Sequence, residues 1–117
     1  MIAVVDDDKA VCSSLKFMLE IEGYVARTYD TPTRLLSAPD LTSCDCAIVD
    51  FSLPDMDGLT LVEALRSRGH TWPAILIASN PDLATLERAG RAGVPIVEKP
   101  LLGNALIEAL RQALHTR

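Results

Sequence analysis

Hydrophobic positions along the chain fall into two alternating kinds of segment. Ile2 to Val5, Ala47 to Val49, Ala74 to Ala78 and Val94 to Val97 are short continuous apolar runs, the last with Pro95 inside it. Runs of this kind predict strands covered on both faces, as in a parallel sheet. Tyr24 to Tyr29 alternates instead, with Tyr24, Ala26 and Thr28 set against Val25, Arg27 and Tyr29, and predicts an edge strand. The segments between carry helical spacing. Lys9 to Ile21 repeats apolar residues at Val11, Leu15, Met18 and Leu19, with Gly23 as a stop signal. Pro32 to Ala38 predicts a short helix capped by Thr31. Gly58 to Arg68 carries Leu59, Val62 and Leu65; Asp82 to Ala92 carries Leu83, Leu86, Ala89 and Gly90; Asn104 to His115 carries Leu106, Ile107, Leu110, Ala113 and Leu114. Leu83, Leu86 and Leu106 are expected to pack inward.

Strand and helix therefore alternate five times, which predicts a doubly wound α/β domain with right-handed crossovers and helices on both faces of a parallel sheet. At 117 residues the chain is one domain. It is too short for an eight-fold barrel, and no Gly-rich phosphate loop follows the first strand or occurs elsewhere.

Composition narrows the function. Sixteen acidic against eleven basic residues give a net charge of −5, which disfavours direct binding to nucleic acid. The longest apolar stretches fall short of a membrane span, and no signal peptide opens the chain, so a cytoplasmic location is expected. Cys12, Cys44 and Cys46 lack the partners of a zinc site and read as small buried hydrophobes in a reducing compartment. His70 and His115 are far apart and suggest no dyad.

Ligands of open parallel sheets sit beyond the carboxyl ends of the strands. The first run ends in Asp6-Asp7-Asp8, the third in Asp50, the fourth in Ala78-Ser79-Asn80 and the fifth in Glu98-Lys99-Pro100. Asp6-Asp7-Asp8 alone would read as a solvated turn and helix cap, and Lys99 alone as a surface charge. Asp50 closes an apolar run, an unusual place for a charge without a task. Carboxylates brought together resist desolvation and repel, so such a cluster calls for a compensating cation. Hard oxygen ligands beside open water positions suit Mg²⁺.

These residues resemble the receiver domain of two-component response regulators over nearly the whole chain. The motifs are Val4-Val5-Asp6-Asp7-Asp8, Ile48 to Gly58 with Asp50 followed by Pro54 and Gly58, and Glu98-Lys99-Pro100. The resemblance implies a flavodoxin-like (βα)5 fold with strand order 2-1-3-4-5. It implies Asp50 as phosphoacceptor, Asp6 and Asp7 with Asp50 and the Ser52 backbone carbonyl as ligands of Mg²⁺ (or Mn²⁺), and Lys99 as partner of a phosphoryl oxygen. A cis Lys99–Pro100 bond comes with it. The implied phosphoryl donor is a histidine kinase or histidine phosphotransfer domain, and self-association through the fourth helix, fifth strand and fifth helix is a further implied contact. A receiver domain over residues 1–117 without an output domain is expected, either a stand-alone receiver or a piece of a longer regulator; Val4 to Leu15 resembles receivers that precede a DNA-binding helix-turn-helix domain.

Two positions depart from the family pattern. Where the family carries Thr or Ser after the fourth apolar run, this chain has Ala78, with Ser79 one residue later; where it carries an aromatic residue three before the lysine, this chain has Ile96. A one-residue shift along a strand turns a side chain to the other face, so Ser79 replaces the hydroxyl only if the strand has ended there. The expected function is a phosphorylation switch that catalyses only its own phosphorylation and dephosphorylation. The alternative is a phosphorylation-independent interaction module, motivated by Ala78 and Ile96. A phosphatase with an aspartyl-phosphate intermediate is disfavoured, because the position two after Asp50 is Ser52 and not a second Asp.

Overall fold

The computed structural model describes residues 1–39, 41–101 and 103–115. The elements run β1 (Ile2–Val5), α1 (Lys9–Ile21), β2 (Ala26–Tyr29), α2 (Pro32–Leu36), β3 (Cys46–Asp50), α3 (Gly58–Ser67), β4 (Ala74–Ala78), α4 (Leu83–Ala92), β5 (Ile96–Glu98) and α5 (Ala105–His115), with a 3₁₀ turn at Leu41–Ser43 before β3. All four strand pairings are parallel, and the order is β2-β1-β3-β4-β5. The expected doubly wound sheet and its order are both present, with β2 at the edge.

Alternation along the strands divides the interior into two layers. Ala3, Val5, Ala47, Val49, Ala74 and Leu76 face the cluster built with α2, α3 and α4. Ile2, Val4, Cys46, Ile48, Ile75 and Ile77 face the cluster built with α1 and α5. Each central strand is buried on both sides, which explains why its sequence reads as an unbroken apolar run. The three cysteines are buried thiols outside any disulfide, as expected. Burial holds the thiols of Cys12 and Cys44 above their ordinary pKa.

Element boundaries differ from the periodicity by one or two residues in several places. Pairing in β5 starts at Ile96, not Val94, because Pro95 has no N–H to give; its carbonyl instead accepts from Leu76 N at 2.9 Å. The second strand is shorter than Tyr24 to Tyr29, and Val25 before it is exposed. The helix Pro32–Leu36 ends before Ala38.

One packing expectation is overturned. Leu106 is buried, but Leu83 is 69% and Leu86 43% exposed. The phase of α4 is set by Ala89, which is buried against α3 and β4 neighbours, with Ala92 half-buried beside it. Small residues let the helix approach closely on that side and turn both leucines outward. Gly93 ends the helix at φ 70°, a conformation that suits glycine.

Gly58 opens α3 against the end of β3. A Cβ there would meet the Asp50 carbonyl oxygen, and would lie 2.9 Å from Leu76 Cδ1 and Val49 Cγ1. Only glycine lets α3 start this close to the strand that carries Asp50. Gly58→Ala is expected to cost about 1–3 kcal/mol, as overpacking does, read as a lower midpoint in urea denaturation; an unchanged midpoint would show that the close approach is not required.

Candidate functional site

The carboxyl ends of β1, β3 and β5 deliver the charged residues to one rim of the sheet. Asp6 directly follows β1, Asp50 is the last residue of β3, and Lys99 directly follows β5. Register aligns them: Val5 pairs with Val49, Asp50 with Ile77, and Ala78 with Glu98. One carboxylate oxygen each from Asp6, Asp7 and Asp50 lies within 4.8 Å of the others. Asp6 and Asp50 are 1% and 5% exposed, while Asp7 faces solvent. Lys99 Nζ stands 3.2 Å from Asp50 Oδ1. Its backbone N donates to the Ala78 carbonyl at 2.9 Å, and the following Lys99–Pro100 peptide is cis.

Local hydrogen bonds shape the acidic turn. Asp6 Oδ1 accepts from the backbone N of Asp8 at 2.9 Å. Asp8 points the other way and caps α1, its Oδ1 accepting from Ala10 N at 2.9 Å and Val11 N at 3.3 Å. The acidic triplet therefore divides: Asp8 serves the helix, and Asp6 and Asp7 serve the pocket. Asp6 Oδ2 is buried without a hydrogen-bond partner. Burial pushes the Asp6 carboxyl above its ordinary pKa. The Asp8 N–H opposes this, the Asp50 charge adds to it, Lys99 opposes, and Asp7 adds.

This donor set fits a small hard cation. The ligands are all carboxylate oxygens, one lone buried oxygen is aimed at no protein donor, and one residue is open to water. Mg²⁺ binds oxygens at about 2.0–2.1 Å with retained waters, so opposite ligands stand about 4.2 Å apart, within the observed spacing.

Ser52 is exposed and forms an antiparallel bridge with Asp57, which closes the loop between β3 and α3. Gly58 N donates to the Phe51 carbonyl at 2.8 Å in the same closure. Ala78 is buried as the last residue of β4, and Ser79 lies outside the strand, exposed. Ile96 is half-buried and packs with the cluster on the α3 and α4 side.

Two residues around the site escaped the sequence reading. Asp57 caps α3, its Oδ1 accepting from Thr60 N at 2.7 Å, and its position just before a helix-opening glycine is a readable cap signal. Burial works to raise its pKa, but hydrogen bonds from Arg88 and Thr60 outweigh that and hold it below the ordinary carboxylate value. Arg88 itself, on α4, has no local sequence signal, since its partners lie 25 to 31 residues away.

Known proteins share this fold and sequence family. The family model "response regulator receiver domain" matches residues 2–111. The response regulator protein TmoT of Ectopseudomonas mendocina is 30% identical over 115 residues, covering 97% of this chain and 52% of TmoT. The transcriptional regulatory protein FixJ of Rhizobium meliloti is 32% identical over 112 residues, covering 94% of this chain and 54% of FixJ. The chain thus spans about half the length of the curated relatives it matches. A CheY-like receiver domain protein of Methanospirillum hungatei superposes with a TM-score of 0.89 at 28% identity, covering 98% of this chain and 93% of its own. No described helix is long and apolar enough to cross a membrane. With its parallel sheet, its acidic rim and these matches, the chain belongs to the response regulator receiver domain family of two-component signalling.

Proposed function

We propose that this receiver accepts a phosphoryl group on Asp50 from a phosphohistidine of a histidine kinase or phosphotransfer domain. The observation that carries the reading is the placement of Lys99 Nζ 3.2 Å from Asp50 Oδ1, beside carboxylate oxygens of Asp6 and Asp7 within one ion's reach. Asp6, Asp7, Asp50 and the Ser52 carbonyl would hold Mg²⁺, or Mn²⁺. When bound, the ion supplies charge neutralisation to the phosphoryl oxygens.

A carboxylate oxygen of Asp50 attacks phosphorus in line. The new P–O bond forms as the P–N bond to the donor imidazole breaks, and the imidazole leaves with its electron pair and later takes a proton from solvent. Lys99 exchanges its contact with Asp50 for one with a phosphoryl oxygen, so the ammonium stays paired throughout. Attack by water reverses the loading: phosphate leaves and the Asp50 carboxylate is restored. No second substrate turns over, and the chemistry is positioning and charge compensation. Residues 1–117 form the receiver unit. Its output surface is the face of α4, β5 and α5, where Leu83 and Leu86 are exposed and a second copy of the chain docks in this reading.

Ala78 and Ile96 favour a second reading, a module that binds its partner without phosphorylation. The end of β4 offers a buried methyl group in place of a hydroxyl, so the hydroxyl contact to a phosphoryl oxygen depends on Ser79.

Two outcomes test the main reading. Incubation with acetyl phosphate and Mg²⁺ is expected to add one phosphoryl mass to the intact protein and none to Asp50→Asn; no addition, or equal addition to both, overturns the reading and leaves the second. Asp6→Asn is expected to raise the urea midpoint in EDTA, because it removes a buried charge among like charges while its oxygen still accepts from Asp8 N. Adding Mg²⁺ then raises the wild-type midpoint and not the variant's. A variant no more stable than wild type in EDTA would remove Asp6 from the electrostatic cost of the pocket.

A further inference from the structure

Arg88 projects from α4 toward the first two turns of α3 and uses its planar fork on three residues there. Nη1 donates to Asp57 Oδ2 at 2.9 Å; Nη2 donates to Thr60 Oγ1 at 2.9 Å and to Glu63 Oε1 at 2.6 Å. Residues 57, 60 and 63 form one row along the helix, which a guanidinium can span and an ammonium cannot. Arg88 and Asp57 side chains are about one-third exposed and Glu63 more so. Pairs this wet contribute little stability each, so the geometry they fix matters more than their energy.

What they fix is Asp57. Both its carboxylate oxygens are engaged, Oδ1 by Thr60 N and Oδ2 by Arg88. Its backbone pairs with Ser52, the residue whose carbonyl completes the proposed cation site. The chain between them, residues 53–56, is loop with Leu53 and Met56 only half-buried, so Ser52 is held by this bridge together with the Gly58 N to Phe51 carbonyl bond beside it, and Asp57 anchors both. A second tie joins the same two helices at the other end: Arg66 Nη1 donates to the Ala92 carbonyl at 2.5 Å. That tie touches neither Asp57 nor the loop.

We propose that Arg88 is a positioning residue, which holds the Ser52–Asp57 loop in its cation-binding arrangement and so couples α4 to the acidic pocket. The proposal rests on the reading of the pocket as a Mg²⁺ site. It gives this chain a route from pocket to α4 that does not use a hydroxyl at position 78 or an aromatic ring at 96. By linkage the coupling is reciprocal: a partner that moves α4 changes cation affinity by the factor with which the cation changes partner affinity.

The test is titration of the full chain with MgCl₂, followed through the amide resonances of residues 6–8, 52, 53 and 55–58. Arg88→Ala is expected to bind Mg²⁺ about tenfold more weakly than wild type, the low end of what loss of an outer partner does at metal sites. Arg88→Lys, which keeps the charge but spans fewer acceptors, is expected to fall between. Arg66→Ala, which loosens the same helix pair away from the loop, should stay within about twofold of wild type, well short of the outer-partner effect. The inference is overturned if Arg88→Ala binds as wild type does, or if Arg66→Ala is weakened equally, since the effect would then be general loosening of α4. Failure of the wild-type protein to bind Mg²⁺ at this pocket overturns the underlying reading as well, and so is told apart from failure of the Arg88 step alone.

Discussion

Holding Asp6, Asp7 and Asp50 together is the constraint around which the rim of this domain is organised. Like charges at this spacing repel, and two of the three are almost wholly withdrawn from water, where desolvation further penalises the charged form. The fold answers with rigid placement. β1 and β3 are central strands, each covered by helices on both faces, and register sets Val5 beside Val49, so the carboxylates that follow cannot drift apart without slipping the ladder. Gly58 lets α3 begin directly against the Asp50 backbone. Lys99, held by its backbone bond to Ala78 in the neighbouring strand, supplies the one protein cation in contact with Asp50 among the described residues.

A preorganised cluster of this kind is costly alone and is relieved by a cation. The stored repulsion gives ligand binding a free-energy difference to work with, because a ligand shifts a conformational equilibrium only by its differential affinity. In this chain the end of β4 carries a methyl group, and Ile96 sits in the core cluster with Leu76, Ala89 and Val94. In the coupling proposed for Arg88, the pocket is joined to α4 through the loop closed by Ser52 and Asp57 and through the Arg88 fork. The outward leucines of α4 lie on the helix that the Arg88 fork ties to α3.

Much of this was legible in the sequence because burial and pleat leave direct traces in residue order. Unbroken apolar runs marked the two-sided strands, and the charges that ended those runs marked the pocket: Asp50 after Ile48 and Val49, and Lys99 after Val97 and Glu98. The strand order came from the family resemblance, since pairing between distant segments has no local signature. What periodicity misjudged was α4. Two leucines at helical spacing look like a core stripe, yet Ala89 and Ala92 set the buried face, because close packing favours small side chains where helices approach. The Asp57–Arg88 contact was illegible for a different reason, as it joins two helices through half-buried side chains 31 residues apart. β5 started two residues later than its apolar run because Pro95 has no donor for the ladder.

The most direct measurement of the central claim is the location of a divalent ion in crystals of the protein soaked with Mn²⁺, read from its anomalous scattering. The account predicts one strong peak between the carboxylates of Asp6, Asp7 and Asp50, with the Ser52 carbonyl oxygen in its coordination shell. A fully occupied ion elsewhere on the surface with this pocket empty, or a peak that Asp50 does not touch, would contradict it.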